Sequence, residues 1–130
     1  MYVIGNDLKQ LMAFLAGISE ADWYMQLAPD KRYVLDLALE EMVSNIIKYG
    51  FDDSKHHDIQ IEIEVLPDGA EVELRDDGHE FNPLCETGSN MDTCLDERVI
   101  GGVGIHLTKS MSRQMKYRRE NNYNVLNILI

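Results

Sequence analysis

The segment Leu37–Gly50 reads LALEEMVSNIIKYG, and its apolar residues recur every three to four positions. This spacing is typical of an amphipathic helix, which we expect to span about Lys31–Tyr49 and to end at Gly50. Glu41 and Asn45 lie one helical turn apart and flank the apolar stripe, where side chains can line a cleft. The segment therefore predicts a long core helix with a polar pair at its border.

The composition of the chain is that of one globular domain. Its 130 residues are 45% hydrophobic and 27% charged, so we expect a single domain over residues 1–130. Twelve basic and 23 acidic residues give a formal net charge of −11, the opposite balance to that of a duplex nucleic-acid binder. The sequence contains no apolar run of about 18 residues and no basic, apolar leader, which predicts neither a membrane span nor a signal peptide.

Two cysteines, Cys85 and Cys94, are too few for a disulfide framework in a chain of this size. We expect them to be free thiols in a reducing compartment, which together with the composition predicts a cytoplasmic protein.

Two hairpins are predicted on either side of a later helix. Residues 59–65 and 71–75 alternate apolar and polar side chains around a Pro-Asp-Gly turn, and residues 116–120 and 123–130 flank Asn121-Asn122. With helices earlier in the chain, this order predicts an α+β fold. We expect a two-layer α/β sandwich in which a mixed, mostly antiparallel sheet carries helices on one face.

Helix boundaries are predicted from cap residues. Asn6 is a candidate N-cap for a helix over residues 7–16 that stops at Gly17, and Ser19 is a candidate cap for a short helix that follows. Asp30 is the candidate N-cap of the long helix that carries Glu41.

The second strand of the first hairpin leads into the segment DDGHEFNP, residues 76–83. A carboxylate at a strand end, here Asp76, can accept a hydrogen bond from an exocyclic amine such as that of adenine. Gly78 would let the backbone approach a flat ring closely. Taken alone, the segment is explained more simply as an ordinary turn at the exit of a strand.

Gly101-Gly102-Val103-Gly104 opens a predicted helix that reaches about Met115, with Val103, Leu107 and Met111 facing inward. Glycines at a helix start free backbone N–H groups to face an anion, which the helix dipole also favours. No Gly-Lys-Ser/Thr follows, so the segment is not a P-loop, and its spacing differs from the Rossmann fingerprint.

In this order, the three segments resemble the motifs of the GHKL (Bergerat-fold) ATPase superfamily and, within it, the small anti-sigma factor serine/threonine kinases. Residues 41–45 are similar to the N box, residues 76–83 to the first glycine box in its D-x-G-x-x-F-x-P form, and residues 101–107 to the second glycine box. The resemblance covers the chain from about residue 30 onward.

The resemblance implies ATP and Mg²⁺ as cofactors. Asn45 would bind the Mg²⁺ that bridges the ATP phosphates, and Glu41 would act as the general base that activates a serine hydroxyl. Asp76 would contact the adenine amine, with Gly78 beneath the base.

Further contacts are implied for the aromatic residue of the first glycine box and for the phosphate end of the site. Phe81 would contact the nucleotide, Lys48 is a candidate phosphate neighbour, and residues 84–100 would form the ATP lid. The remaining implied contacts, which would cradle the phosphates, are Gly101, Gly102, Val103 and Gly104.

The function implied is that of an anti-sigma factor kinase. Such kinases phosphorylate a serine on a STAS-type anti-anti-sigma protein, and the unphosphorylated STAS protein competes with a sigma factor for the kinase. We therefore expect a STAS protein and a sigma factor as partners, and a homodimer at the edge formed by the N-terminal strand. Neither nucleic acid nor a membrane is an expected partner.

Two other functions fit the same motifs. One is a non-catalytic ATP-binding module that switches partners, although a pure binder has no need of a base such as Glu41. The other is the ATP-binding domain of a histidine kinase, which is less favoured because no long helix carries a candidate phospho-accepting histidine.

Two residues depart from the family pattern. Tyr49 stands where many relatives carry a histidine after the N box, and Ile100 stands where some relatives carry an arginine that contacts phosphate. Both fall at the predicted edges of the pocket.

Overall fold

The computed structural model describes residues 1–84 and 102–130. In chain order its elements are β1 (Tyr2–Gly5), α1 (Leu8–Ile18), α2 (Asp22–Gln26), α3 (Pro29–Tyr49), β2 (Asp58–Leu66), β3 (Gly69–Asp76), α4 (Gly102–Met111), β4 (Gln114–Glu120) and β5 (Tyr123–Leu129).

The strands form one five-stranded sheet in the order β1-β2-β3-β5-β4, and each described neighbouring pair is antiparallel. Successive side chains of a strand point to opposite faces of a pleated sheet, so every second side chain points toward the helices. Buried members of this set include Ile59, Ile61, Val72, Leu74, Leu126 and Ile128. The predicted α+β sandwich is therefore confirmed, with antiparallel pairing throughout the described strands.

Helix α3 is the central element of the helical layer and contacts α1, α4 and β3. The predicted core face is confirmed at Leu35, Leu39 and Met42, whereas Ile46 is half-buried because it lines a pocket described below. The helix starts at Pro29, earlier than predicted, because proline fits the first turn, where its missing N–H is not needed. None of the helices in the described ranges is both long and apolar enough to cross a membrane.

The predicted cap of α1 is wrong by one residue. Asp7 caps the helix, because its Oδ1 accepts a hydrogen bond from the backbone N–H of Lys9 at 2.8 Å. Asn6 instead ties β1 to a distant loop, because its Oδ1 accepts a hydrogen bond from the backbone N–H of His57 at 3.0 Å.

Gly17 does not end α1, which continues to Ile18. Burial of Ile18, only 3% exposed, outweighs the low helix propensity of one glycine. Ser19 is consequently the C-cap of α1 and not the N-cap of α2, which follows Ala21.

The second hairpin has the predicted turn. Asn121 and Asn122 both have positive φ, at 50° and 68°, as a two-residue turn between twisted strands requires. Asparagine tolerates this left-handed region better than most other non-glycine residues, so the prediction is confirmed at the level of turn chemistry.

Helix α4 ends at Met111, and the predicted inward positions of Leu107 and Met111 are wrong. Their side chains are 40% and 39% exposed, whereas Ile105 and Thr108 are buried. The hydroxyl of Thr108 donates to the backbone carbonyl of Gly104 at 2.9 Å, which satisfies this polar group inside the core.

His57 fastens the loop after α3 to the end of β3. Its Nε2 lies 2.7 Å from Asp53 Oδ1, its Nδ1 lies 3.1 Å from Asp77 Oδ1, and its ring stacks on Phe51. Its side chain is only 17% exposed, so His57 is held against the fold although it belongs to a loop. The hydrogen bond to Asp53, followed by the one to Asp77, raises the pKa of His57 above its ordinary value.

This contact makes part of the stability dependent on pH. The pKa of His57 is higher in the folded protein than in the unfolded chain. The contribution of His57 to stability is therefore fully present at pH values below its pKa in the unfolded chain, and it is lost as the pH rises through its pKa in the folded protein. We expect His57→Gln to lower the Tm measurably at about pH 5.5 and by much less at about pH 9.

Thermal unfolding followed by circular dichroism over this range is the measurement. His56→Gln is the matched control, because His56 is the exposed neighbour of His57. A His57→Gln deficit that grows as the pH rises would contradict the assignment.

Candidate functional site

A pocket of about 210 Å³ opens between the C-terminal half of α3 and the neighbouring ends of β3, β4 and β5. Its apolar wall consists of Met42, Ile46, Leu74, Phe81, Pro83 and Leu126. Its polar side chains are Asn45, Tyr49, Asp76, His79, Tyr117 and Asn124. A mostly apolar cavity with a few convergent polar groups is the usual form of a small-molecule site.

Asn45 is a buried polar side chain in this pocket and is 9% exposed. Within the part of the chain that the structure describes, its Nδ2 has no hydrogen-bond partner. A buried donor left unpaired costs about 1–3 kcal/mol, so such a group is accommodated most readily where a ligand supplies the acceptor. The amide also carries an oxygen, which suits a hard cation such as Mg²⁺.

Asp76 ends β3 and is 3% exposed. Its Oδ1 accepts hydrogen bonds from the backbone N–H of Gly78 at 2.9 Å and from Asn124 Nδ2 at 3.1 Å. Oδ2 accepts none from the described residues, so it is the oxygen left for a donor on a pocket ligand. Burial raises the pKa of Asp76, and the hydrogen bonds from Asn124 and Gly78 oppose that effect.

Gly78 lies directly against the end of α3. A methyl group on its Cα would overlap the backbone carbonyl oxygen of Gly50, to which the next residue, His79, donates its N–H at 2.9 Å. This bond satisfies one of the carbonyl groups that a helix C-terminus leaves free. The absence of a side chain at Gly78 therefore lets the segment carrying Asp76 close onto α3.

Glu41 and Gly104 meet where α3 approaches the first turn of α4. A Cβ atom at Gly104 would overlap the Glu41 carboxylate, so only glycine leaves room for the acid in this position. The approach brings the first and third sequence motifs into contact, although Glu41 and Gly104 are 63 positions apart in the chain.

The structure brings three of the predicted nucleotide contacts, Asn45, Asp76 and Phe81, into one pocket. Tyr49 also lines the pocket and is 41% exposed, which places this departure from the family pattern at the pocket mouth. Lys48 is exposed and is not among the lining residues, so its role as a phosphate neighbour stays a prediction.

Several predictions fall on residues outside those that the structure describes. These are the lid from residue 85 onward, its two cysteines Cys85 and Cys94, and Ile100 and Gly101. Gly102 is the first residue of α4, and Val103 is the second. Their predicted phosphate contacts stay predictions.

Asn124 and Tyr117 also line the pocket and were not predicted from the sequence. The Tyr117 hydroxyl donates to Asn124 Oδ1 at 2.6 Å, and burial is the first cause that raises the pKa of Tyr117. One sequence signal was present: Asn124 shares its strand face with Leu126 and Ile128, so it is a polar residue at a core position.

The fold and the pocket together define a class: an α+β domain whose cavity is lined by a buried acid at the end of a central strand and by the C-terminal half of α3. The family of the histidine kinase-like ATPase domain matches residues 5–130, which is nearly the whole chain. The protein therefore belongs to this family, within the GHKL ATPase superfamily, and membership implies that it binds ATP. None of the curated proteins searched matches the chain.

The residues present fit the nucleotide that the family implies. Asn45 Nδ2, which has no partner among residues 1–84 and 102–130, suits a phosphate oxygen, and Asp76 Oδ2 suits an amine of the base. The described residues contain no group of three or more His, Cys, Asp or Glu side chains that could hold a metal ion. Mg²⁺ at this site would therefore depend on Asn45, on ligand oxygens and on water, a donor set that is common for this ion.

The two close glycine contacts predict different sensitivities to a methyl group. At Gly78 the obstacle is backbone, so Gly78→Ala should lower the free energy of unfolding by about 1–3 kcal/mol. At Gly104 the obstacle is the end of a flexible side chain, and alanine favours the helix by about 1 kcal/mol, so the free energy of unfolding should stay close to that of the wild type.

Urea denaturation of the two variants, followed by circular dichroism, tests this contrast. The account of the packing is wrong if Gly104→Ala destabilises the protein as much as Gly78→Ala does.

Proposed function

We propose that this protein is an ATP-dependent serine/threonine kinase of the anti-sigma factor class, which phosphorylates a serine of a STAS-type partner and sequesters a sigma factor. Family membership supplies ATP binding. The observation that carries the step to a kinase is the position of Glu41, one helical turn from Asn45 and against Gly104 in the first turn of α4.

The two ends of the proposed site suit different parts of a nucleotide, which supports this proposal. Asp76, an acceptor, suits the amine of a purine base at one end. The start of α4 suits phosphates, because the first N–H groups of a helix lack partners within it and the helix dipole favours negative charge there. A nucleotide oriented in this way would bring its phosphates toward Glu41.

A carboxylate beside phosphates supports catalysis more than simple binding. Two like charges repel, so Glu41 would weaken the binding of a nucleotide that served only as a structural ligand. The same carboxylate can accept the proton of a serine hydroxyl as the hydroxyl attacks, which is the role of the catalytic base in phosphoryl transfer. The proposal therefore assigns Glu41 to proton transfer and Asn45 to holding the phosphates and Mg²⁺.

Mg²⁺, when bound, would neutralise charge on the transferring phosphoryl group. The chain contributes the amide of Asn45, whose oxygen would hold the ion, and the glycines that keep backbone near the phosphates unobstructed.

The choice of acceptor and partners rests on the resemblance of the three motifs to the anti-sigma kinases. A homodimer at the sheet edge is supported by β1, an edge strand on which Tyr2 and Val3 are 36% and 52% exposed. Edge strands offer unpaired backbone groups to which a second chain can add.

Replacement of Glu41 separates catalysis from binding. Glu41→Gln keeps the shape of the side chain but cannot accept the proton, so phosphoryl transfer should fall by about 10²–10⁴-fold. ATP affinity should stay equal or improve, because a like charge is removed. The measurements are transfer of labelled phosphate from ATP to a STAS protein and calorimetric titration with ATP.

Glu40→Gln is the matched control, because Glu40 is the exposed neighbour on α3 and should leave both readouts unchanged. Transfer by Glu41→Gln at the wild-type rate would refute the assignment of the base. A wild-type protein that binds both ATP and the STAS protein without transferring phosphate would refute the kinase and support the non-catalytic module.

Replacement of Asn45 should have opposite effects on stability and on binding. Asn45→Ala removes a buried donor that has no partner among the described residues, so the free energy of unfolding without nucleotide should rise or stay equal. ATP affinity in the presence of Mg²⁺ should fall roughly ten- to hundredfold, and the dependence of affinity on Mg²⁺ should shrink.

Calorimetry with and without Mg²⁺, combined with urea denaturation, tests this pair of effects. Ser44→Ala is the control on the same helix, because Ser44 does not line the pocket. An Asn45→Ala variant with unchanged ATP affinity would contradict the assignment.

A further inference from the structure

Asn124 is a buried amide, 7% exposed, that lies in register with Asp76 on the neighbouring strand. Its Nδ2 donates to Asp76 Oδ1 at 3.1 Å and to the backbone carbonyl of His79 at 2.8 Å. Its Oδ1 accepts from the hydroxyl of Tyr117 at 2.6 Å and from the backbone N–H of Phe81 at 3.3 Å. Both donor hydrogens and both acceptor positions of the amide are therefore used.

The orientation of this amide is fixed by two backbone groups. The N–H of Phe81 can only donate, so it must face Oδ1, and the carbonyl of His79 can only accept, so it must face Nδ2. A flipped amide would break both bonds. Nδ2 is therefore held toward Asp76.

Asp76 is constrained in turn. Its Oδ1 receives Asn124 Nδ2 from one strand and the N–H of Gly78 from the following turn, so the plane of the carboxylate is set by two donors. Both bonds reach the same oxygen, which leaves Oδ2 for the pocket. An acid buried to this degree needs donors to stay ionised, and an ionised oxygen is the better acceptor for an amine.

We infer that Asn124 is a positioning residue for the base-binding end of the pocket: it holds Asp76 and the backbone of residues 79–81 so that Oδ2 faces the exocyclic amine of the nucleotide. The inference rests on the nucleotide site proposed above, because it requires Asp76 to contact the base. Asn124 acts through Asp76 and does not itself need to touch the ligand.

The chain offers a matched control on the same strand. Asn127 is also an asparagine of β5, and its Nδ2 donates to a carboxylate of β3, that of Glu73, at 3.3 Å. It does not line the pocket. Asn127→Asp therefore places a second carboxylate beside an acid, as Asn124→Asp does, but away from the site.

Asn124→Asp keeps the shape of the side chain and replaces the donor that faces Asp76 with an acceptor. At about pH 8 the two carboxylates should repel, and ATP affinity should fall roughly ten- to hundredfold. As the pH falls toward about 5, one member of the pair takes up a proton that it can donate to the other, so the deficit relative to the wild type should shrink. A merely structural role would lower affinity without this pH dependence.

A second nucleotide separates the amine contact from the rest of the site. For an ATP analogue that lacks the exocyclic amine, Asn124→Asp should lose much less affinity than it loses for ATP. Calorimetric titration of the wild type, Asn124→Asp and Asn127→Asp with both nucleotides over this pH range is the experiment. Asn127→Asp should match the wild type throughout.

Equal losses for the two nucleotides, a deficit independent of pH, or the same loss in Asn127→Asp would each overturn the inference. If Asn124→Asp does not fold, NMR of the unmodified protein decides: the side-chain amide protons of Asn124 should shift with the same midpoint as the carboxyl carbon of Asp76. Amide protons that do not follow this titration would overturn the inference. A protein with the expected Asn124 behaviour but no transfer to serine would refute the kinase and leave this inference standing.

Discussion

The structure of the site depends on the burial of one carboxylate, that of Asp76, at the end of a central strand. A carboxylate can remain ionised away from water only if donors replace its hydration. The two donors present come from the turn at Gly78 and from Asn124 on the adjacent strand, and both bind Oδ1. These two bonds tie the turn and β5 to the acid, and they leave Oδ2 without a partner among the described residues.

The proposed phosphate end of the site depends on a different constraint, the close approach of two helices. α3 carries both Glu41 and Asn45, and the absence of a side chain at Gly104 leaves room for the Glu41 carboxylate against the first turn of α4. The C-terminal end of α3 also contacts the turn at Gly78 through the carbonyl of Gly50. One helix therefore sets the distance between the two ends of the pocket, and its many buried side chains hold it firmly on the sheet.

Much of the fold could be predicted from the sequence, because the strongest signals are periodic. The alternation in β2 and β3, the turn at Asn121-Asn122 and the long apolar helix are local patterns that tertiary packing did not override. The helix boundaries were harder to predict. At the start of α1, for example, Asn6 and Asp7 are both good N-caps, and only the contact of Asn6 with His57 decides between them. The phase of α4 was wrong because a buried Thr108, satisfied within its own helix, does not look like a core residue.

The site residues also differ in how far the sequence could predict them. Glu41, Asn45, Asp76 and Gly78 could be singled out because their motifs are short and local. Asn45 and Asp76 line the pocket, and the nucleotide roles of all four stay predictions. Asn124 was not predicted, because its role exists only once β5 pairs with β3. A single asparagine in a strand gives no information about the residue to which it will hydrogen-bond. That Asn45 Nδ2 lacks a partner in the described part of the chain could not be predicted either, since this depends on how α3 packs against the strand ends.

The most direct measurement is a crystal structure of the protein with Mg²⁺ and a non-hydrolysable ATP analogue. The account predicts the exocyclic amine within hydrogen-bond distance of Asp76 Oδ2, and the phosphates between Asn45 and the first turn of α4, beside Glu41. A nucleotide bound with its phosphates at Asp76, or bound outside this pocket, would contradict it.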